Sequence, residues 1–133
     1  MRERVKRTFL DFEKAFYNLK SAVESAVDDL DIDGAIKRFE LCYELSWKMI
    51  KVYLEDLGII CKNPRDCFKQ AKINGLVEDE DLWMEMIETR NQLVHEYSFE
   101  FSREIFAKIK KDYVRILGNL YETIKRRLED ELV

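Results

Sequence analysis

The stretch of residues 33–57, DGAIKRFELCYELSWKMIKVYLEDL, carries two apolar strips on which the predicted architecture depends. Its main apolar residues recur every three or four positions, which is the spacing of one helix face: Ile36, Phe39, Tyr43, Trp47, Ile50 and Leu54. A second apolar strip runs beside the first: Leu41, Leu45, Met49 and Val52. A helix that is apolar on more than one side is typical of a central helix or of one that contacts a partner. We therefore predict a helix from an N-cap at Asp33 to about Leu57, at the centre of a helical bundle.

Helical periodicity also fills the flanking sequence. We predict an amphipathic first helix from Glu3 to Ala26, separated from the central helix by an acidic turn at Asp28–Asp33. Towards the C-terminus, Ser102 is predicted to cap a long helix that continues to about Glu131. Gly118 inside that helix predicts the close approach of a neighbouring helix, because glycine otherwise costs about 1 kcal/mol there.

Two further segments lie between the central and the last helix. Gly58 is a typical residue at a helix C-terminus, and Asn63-Pro64 is a typical helix start, with Asn as the cap and Pro in the first turn. A short helix is therefore predicted from Arg65 to about Asn74, and a longer one from Asp79 to about Tyr97. Residues 98–101 are predicted to be a short connection to the last helix.

The predicted architecture is all-α: an up-and-down four-helix bundle with one additional short helix, in a single domain spanning residues 1–133. The composition agrees, because 47% apolar and 38% charged residues with one proline and four glycines favour long helices.

We expect no membrane association, since no apolar run reaches the length of a membrane span. The net charge of −4 does not attract nucleic acid by itself, so a nucleic-acid function would need a local basic patch.

The cysteines and the known motifs narrow the chemistry further. Cys42, Cys61 and Cys67 are odd in number and include no C-x-x-C pair, which argues against a zinc site and against a disulfide framework. Free thiols are typical of a reducing compartment, so we predict a cytoplasmic protein. The sequence contains no glycine-rich phosphate loop, H-E-x-x-H motif or metal-ligand cluster, and we predict no cofactor and no metal.

Residues 78–101, EDEDLWMEMIETRNQLVHEYSFEF, contain the candidate functional side chains. On a helix, Arg90 falls near the centre of the apolar stripe, where an unpaired charge costs several kcal/mol. Asn91 and His95 lie side by side on the flank of that stripe, and Tyr97 returns to the side of Arg90. This set suits phosphate chemistry without a metal, because arginine binds phosphate oxygens with a forked donor array and histidine can move a proton.

Structural interpretations of the same residues stay open. In one, Arg90 pairs with a core carboxylate; in another, His95 caps the end of its helix, where the dipole favours a cation. A basic cluster on the last helix is either a solvated face or a surface for a phosphate backbone: Lys108, Lys110, Lys111 and Arg115. The apolar strips of the central helix would suit a homodimer interface.

Residues 90–97, RNQLVHEY, resemble the R-x4-H-x-Y signature of the HEPN superfamily, the higher eukaryote and prokaryote nucleotide-binding domains. Further residues resemble its branch of nucleotidyltransferase substrate-binding proteins: Trp47, Tyr53-Leu54, Asn63-Pro64-Arg65, Ala71, Gly75-Leu76 and Trp83. The resemblance implies an up-and-down helical bundle and a homodimer whose two signatures line one cleft. It also implies a complex with a minimal nucleotidyltransferase encoded nearby.

The resemblance implies a function as well. Many such pairs look like toxin–antitoxin systems, in which the HEPN protein is a metal-independent endoribonuclease and the nucleotidyltransferase silences it by adding AMP to the signature tyrosine. By this resemblance, Arg90 would stabilise phosphate charge and His95 would act as general acid or base. Asn91 would orient the substrate, and Tyr97 would be the modification site.

Two other hypotheses stand beside the ribonuclease. The first is a non-catalytic subunit that binds nucleotide or RNA as the substrate-binding part of a two-component nucleotidyltransferase. The second is a structural helical oligomer, in which Arg90 is a satisfied core ion and its replacement by Met is neutral or stabilising.

Overall fold

The computed structural model describes residues 2–96 and 98–131, which form an all-α, up-and-down helical bundle, as predicted. Its elements are α1 (Arg2–Ser25), α2 (Asp29–Asp56), α3 (Pro64–Ile73), α4 (Glu80–Gln92), α5 (Phe99–Lys108), a π-helical segment (Ile109–Tyr113) and α6 (Val114–Asp130). The last three follow one another without a break and make one long final helix, and α3 is the additional short helix. In the described part of the chain, no helix has both the length and the apolarity that a membrane span requires.

Helix α2 is the centre of the bundle, as its two apolar strips predict. It packs against α1, α3, α5 and α6. Five of its six main-stripe residues are buried, and so are Met49 and Val52 of the second strip. Trp47 is half-buried, and Leu41 remains 54% exposed, so part of the second strip faces solvent.

The predicted N-cap of α2 is wrong. The cap is Asp28 and not Asp33, and the Asp28 carboxylate accepts a hydrogen bond of 2.8 Å from the Asp31 backbone N–H. Asp33 therefore lies inside the helix, and the acidic turn shrinks to residues 26–28. Aspartate is a good cap at any of several positions in this stretch, so spacing alone does not show where the helix begins.

The last helix also begins earlier than predicted. Ser98 is its cap, with the Ser98 Oγ accepting a hydrogen bond of 3.1 Å from the Phe101 backbone N–H, and Ser102 lies within α5. The predicted close approach at Gly118 is confirmed, because a Cβ built there would lie 2.9 Å from Cζ of Phe16. Helices α1 and α6 therefore meet through a position that accommodates only glycine without adjustment.

The prediction against a disulfide is wrong for one pair of cysteines. Cys61 and Cys67 are bonded, because the turn into α3 brings their Cα atoms to 5.0 Å, a separation that cysteine counting does not reveal. Cys42 is a free thiol whose burial raises its pKa. The odd cysteine count therefore carries no information about the compartment. The predicted start of α3 is confirmed, since Asn63 accepts a hydrogen bond of 2.9 Å from the Asp66 N–H.

Candidate functional site

The helix that carries the candidate residues is shorter than predicted. Helix α4 ends at Gln92 rather than at Tyr97, residues 93–95 form a turn, and Tyr97 lies outside the residues that the structure describes. In the turn, the His95 N–H donates to the Gln92 carbonyl at 3.0 Å, three residues back. The chain thus tightens at the helix end, as helix termini often do. The sequence does not indicate this helix end, because neither glycine nor proline follows Gln92 before α5 begins.

Arg90 lies half-buried at the edge of the core. Its Nε is inaccessible to solvent and lacks a hydrogen-bond partner within residues 2–96 and 98–131. No ion pair joins Arg90 to a carboxylate in that part of the chain. A buried donor without an acceptor costs about 1–3 kcal/mol. The structural interpretation, in which a core carboxylate neutralises Arg90, therefore has no support among the described residues.

The positive charge of Arg90 acts on Tyr43 of α2. Burial raises the pKa of Tyr43 to about 12, and the neighbouring carboxylate of Glu44 adds to the rise. The guanidinium groups of Arg90 and of Arg65 oppose that rise, because a nearby cation favours the ionised phenol. Two guanidinium groups, one from α4 and one from α3, thus lie near a single buried tyrosine.

Asn91 and His95 are both exposed, but they do not share a helix face as predicted, because α4 ends between them and His95 lies in the turn that follows. Asn91 lies on the face of α4 that also carries Met84 and Glu88 at helical spacing. Arg65 reaches across this face from α3. Its Nη2 lies 3.3 Å from Oε1 of Glu88, and its Nη1 lies 3.7 Å from Sδ of Met84. Arg65 therefore belongs to the same surface as the predicted site residues. The sequence indicated it only as part of the Asn63-Pro64-Arg65 resemblance, since the packing of α3 on α4 is a tertiary contact.

A partly buried hydrogen-bond network holds α4 at the residue before Arg90. The Oη of Tyr113 lies 2.8 Å from Oγ1 of Thr89 and donates to Oε2 of Glu85 at 3.1 Å. Tyr113 is the last residue of the π-helical segment, and its ring stacks on Phe39 with 5.5 Å between centroids. The network links the last turns of α4 to the core of the bundle. Tyr113 lies within the predicted last helix, but sequence reasoning gave it no role in the site.

The basic cluster of the last helix is partly neutralised. Nζ of Lys108 lies 3.7 Å from Oε1 of Glu85, and Nη2 of Arg115 lies 3.1 Å from Oδ1 of Asp112. Lys110 and Lys111 are exposed on the π-helical segment. Only part of the cluster is therefore open to a phosphate backbone.

A groove of about 710 Å³ lies elsewhere on the surface, between residues 75–81 and α6. Arg90, Asn91 and His95 are not among its lining residues. The candidate site therefore lies outside this groove. Within the described ranges, the His, Cys, Asp and Glu side chains form no group of three or more that could hold a metal ion.

Comparison with known proteins places the chain in a family. The family model described as nucleotidyltransferase substrate binding protein like matches residues 7–126. A relative from Haemophilus influenzae, named probable ribonuclease HepT, is 30% identical over 132 residues, which cover 86% of this chain and 90% of that protein.

Solved structures share the fold. A protein from Thermus thermophilus gives a TM-score of 0.75 at 31% identity, covering 82% of this chain and 94% of its own. A Haemophilus influenzae structure is described as the fold of a substrate-binding domain of a nucleotidyltransferase. It has a TM-score of 0.73 at 26% identity, and the match covers 88% of this chain and 98% of that one. A mutant of the MntA-HepT toxin–antitoxin has a TM-score of 0.72 at 17% identity, and the match covers 92% of this chain and 97% of that one. At this identity the similarity shows the fold alone.

The family model covers most of the chain, and the fold agrees with that of the solved relatives. Arg90 and Asn91 lie in the last turn of α4 and His95 lies in the turn that follows, in the order of the R-x4-H-x-Y signature. This chain therefore belongs to the nucleotidyltransferase substrate-binding protein family, a branch of the HEPN superfamily.

Proposed function

We propose that this chain is a metal-independent endoribonuclease whose site lies at the C-terminal end of α4. The observation that carries the proposal is Arg90, whose buried Nε has no acceptor among the described residues. A cation held in this way destabilises the chain unless it serves an anionic ligand, and a phosphodiester supplies the missing acceptor. The name of the Haemophilus influenzae relative, probable ribonuclease, supports the same class of substrate.

In the proposed reaction the RNA supplies its own nucleophile. The 2′-hydroxyl attacks the adjacent phosphorus, the bond to the next 5′-oxygen breaks, and a 2′,3′-cyclic phosphate and a 5′-hydroxyl form. Arg90 stabilises the charge on the phosphate oxygens, and Asn91 orients the phosphate by hydrogen bonding. His95 takes the proton from the 2′-hydroxyl or gives one to the leaving oxygen.

The exposure of Asn91 and His95 leaves room for a second copy of the chain to complete the site. We include a homodimer in the proposal, because Leu41 of α2 and Phe99 of α5 are 54% and 60% exposed and offer apolar area for a two-fold interface. Two copies would bring two imidazoles to one cleft, so that one accepts a proton while the other donates one. Light scattering of the purified chain should therefore give the mass of a dimer, and the mass of one chain would contradict the homodimer.

The proposal includes regulation by a partner nucleotidyltransferase that adds AMP to Tyr97. The tyrosine is two residues from His95 in sequence, so an adenylyl group on it would place a phosphate and a nucleoside beside the site and block RNA. Coexpression with the nucleotidyltransferase, followed by peptide mass measurement, should show the modification on Tyr97 and its absence in Tyr97→Phe. Full inhibition by the partner with Tyr97 unmodified would contradict this step.

Cleavage of single-stranded RNA by the purified full chain in EDTA tests the activity. We expect products that end in cyclic phosphate, and we expect His95→Ala to abolish cleavage without unfolding the chain. Gln92→Ala is the matched control, because Gln92 is also an exposed residue at the end of α4. Equal cleavage by His95→Ala and the wild type would contradict the proposal.

A second candidate function is a non-catalytic substrate-binding subunit of a two-component nucleotidyltransferase. The description of the family and that of the Haemophilus influenzae structure favour it. It predicts binding of nucleotide or RNA, and of the nucleotidyltransferase, without turnover. Expression of this chain alone separates the two candidates, since growth slows only if the chain cleaves RNA.

A further inference from the structure

Helix α3 carries three exposed cations along one face. Arg65, Lys69 and Lys72 are spaced by four and three residues, so their side chains line up on the surface of the helix. We call these three residues the α3 basic stripe. The side of α3 that packs on the core carries Cys67, Phe68 and Ala71.

The α3 basic stripe is a local excess of positive charge in an acidic protein. Helix α3 has ten residues, three cations and one carboxylate, that of Asp66, which gives it a formal charge of +2. The whole chain has a formal charge of −4. The stripe is therefore the kind of basic patch that a nucleic-acid function requires in this chain.

Contacts at both ends of the stripe fix its direction along α4. Nζ of Lys72 donates to the Glu78 carbonyl at 2.9 Å, just before α4 begins. At the other end, Nη2 of Arg65 lies 3.3 Å from Oε1 of Glu88, close to where α4 ends. Helices α3 and α4 are thus antiparallel neighbours. The stripe extends about 10 Å along this pair, and its Arg65 end lies towards the candidate site.

We propose that the α3 basic stripe binds the phosphate backbone of single-stranded RNA and leads it to the site at the end of α4. This inference rests on the proposed function and adds the path that the substrate takes. Cations one helical turn apart present a line of charge that a flexible strand can follow, and contacts to phosphate do not depend on base sequence. A single strand fits better than a rigid duplex, because it can bend from α3 onto α4.

Arg65 is the member of the stripe nearest the site, and its backbone is held in place. Asn63 caps the helix, Pro64 occupies its first turn, and the Cys61–Cys67 disulfide brackets the residue on both sides. The ion pair of Arg65 with Glu88 is exposed, with 52% and 65% of the two side chains accessible. Such pairs contribute little to stability, so a phosphate can replace the Glu88 carboxylate.

The experiment measures binding of an uncleavable 2′-O-methyl oligonucleotide of about eight nucleotides to the full chain at several salt concentrations. The test variant is Arg65→Gln with Lys69→Gln. The control is Lys14→Gln with Lys20→Gln, which removes the same charge from exposed positions on α1. At about 0.1 M salt, we expect the test variant to bind on the order of tenfold more weakly, with a salt slope lower by about 1.4. The control should bind as the wild type does.

A second variant predicts a change of opposite sign. Glu88→Gln removes the carboxylate that competes with phosphate for Arg65, so binding should tighten, and the gain should vanish when Arg65→Gln is added. Glu55→Gln is the control, because Glu55 forms a similarly exposed ion pair of 3.4 Å with Arg4 on another face. It should give no comparable gain.

Unchanged affinity and salt slope in the Arg65/Lys69 variant would overturn the inference, as would an equal loss in the Lys14/Lys20 control or an absence of binding by the wild type. Loss of nucleotidyltransferase binding with RNA binding intact would assign the stripe to the protein partner instead. Failure of the proposed ribonuclease is seen separately, as intact RNA after incubation in EDTA. If RNA stays intact but still binds through the stripe, the inference about binding holds and the chain acts as a binding subunit.

Discussion

At the scale of single residues, stability and function oppose each other at Arg90. Its half-buried guanidinium has an unsatisfied Nε among the described residues. Arg90→Met keeps much of the volume and removes the buried charge, so we expect the free energy of unfolding to stay the same or rise by about 1–3 kcal/mol. The same variant should lose RNA cleavage.

Urea unfolding followed by circular dichroism measures this effect. Arg103→Met is the control, because Arg103 forms two hydrogen bonds of 3.1 and 2.9 Å with the Asp29 carboxylate, and its loss should lower stability slightly. A fall of several kcal/mol in Arg90→Met would contradict this expectation, because it would show that Arg90 makes a stabilising contact in the fold.

The sequence indicates some of the candidate site residues and not others. Arg90, Asn91 and His95 can be found from the sequence, because a cation in an apolar stripe and a lone histidine are conspicuous at helical spacing. Arg65 and Tyr113 cannot be found in this way, since their roles depend on which helices pack together. Nothing in their local sequence distinguishes Arg65 from other surface cations or Tyr113 from other core aromatics.

At the scale of helices, the Tyr113 network should control the order of the end of α4. Tyr113→Phe keeps the stacking on Phe39 but removes the hydrogen bonds to Thr89 and Glu85, at a cost of about 1 kcal/mol for each bond. We expect faster hydrogen exchange in residues 85–92. Tyr53→Phe, a change at another buried tyrosine on α2, should leave exchange in α4 unchanged. Equal exchange in both variants would show that the network does not hold α4.

Alanine substitutions at Gly118, where α6 meets α1, and at Gly34 in α2 should change the stability of the fold in opposite directions. A Cβ at Gly118 would lie 2.9 Å from the Phe16 ring, so we expect Gly118→Ala to destabilise the fold by about 1–3 kcal/mol. Gly34 lies within α2, and a Cβ there would be 3.4 Å from the end of the flexible Arg38 side chain. Gly34→Ala should therefore stabilise the fold by about 0.5–1 kcal/mol. Thermal unfolding compares the two, and equal effects would contradict the close approach.

The existence of the helices follows from the sequence, whereas several of their ends do not. Periodicity identifies each helix because the buried faces of α2 and of the last helix are long and continuous. The starts at Asp28 and Ser98 were predicted at Asp33 and Ser102, since equivalent capping residues recur within each stretch. The π-helical segment shows only as a spacing of four between Ile105, Ile109 and Tyr113, which an ordinary helix also permits.

At the scale of the whole molecule, buried tyrosines should make the fold sensitive to alkali. Burial raises the pKa of Tyr43 to about 12, and burial also raises the pKa values of Tyr113 and Tyr121. An unfolded tyrosine ionises near pH 10, so the stability from these groups is present below about pH 10 and is lost as the pH rises through the folded values.

Denaturant unfolding across this range tests the prediction. The free energy of unfolding should begin to fall above about pH 10, and Tyr43→Phe should reduce that fall. A flat profile between pH 10 and pH 12 would show that the phenols ionise as easily in the fold as outside it.

The most direct test of a ribonuclease site on α4 is incubation of the full chain, in EDTA, with a DNA oligonucleotide that contains a single ribonucleotide. We predict one cut, on the 3′ side of that ribonucleotide, with a 2′,3′-cyclic phosphate at the end and no cut by Arg90→Met. An intact oligonucleotide, or the same cut made by Arg90→Met at the wild-type rate, would contradict a site in which Arg90 holds the phosphodiester while the substrate's own hydroxyl attacks.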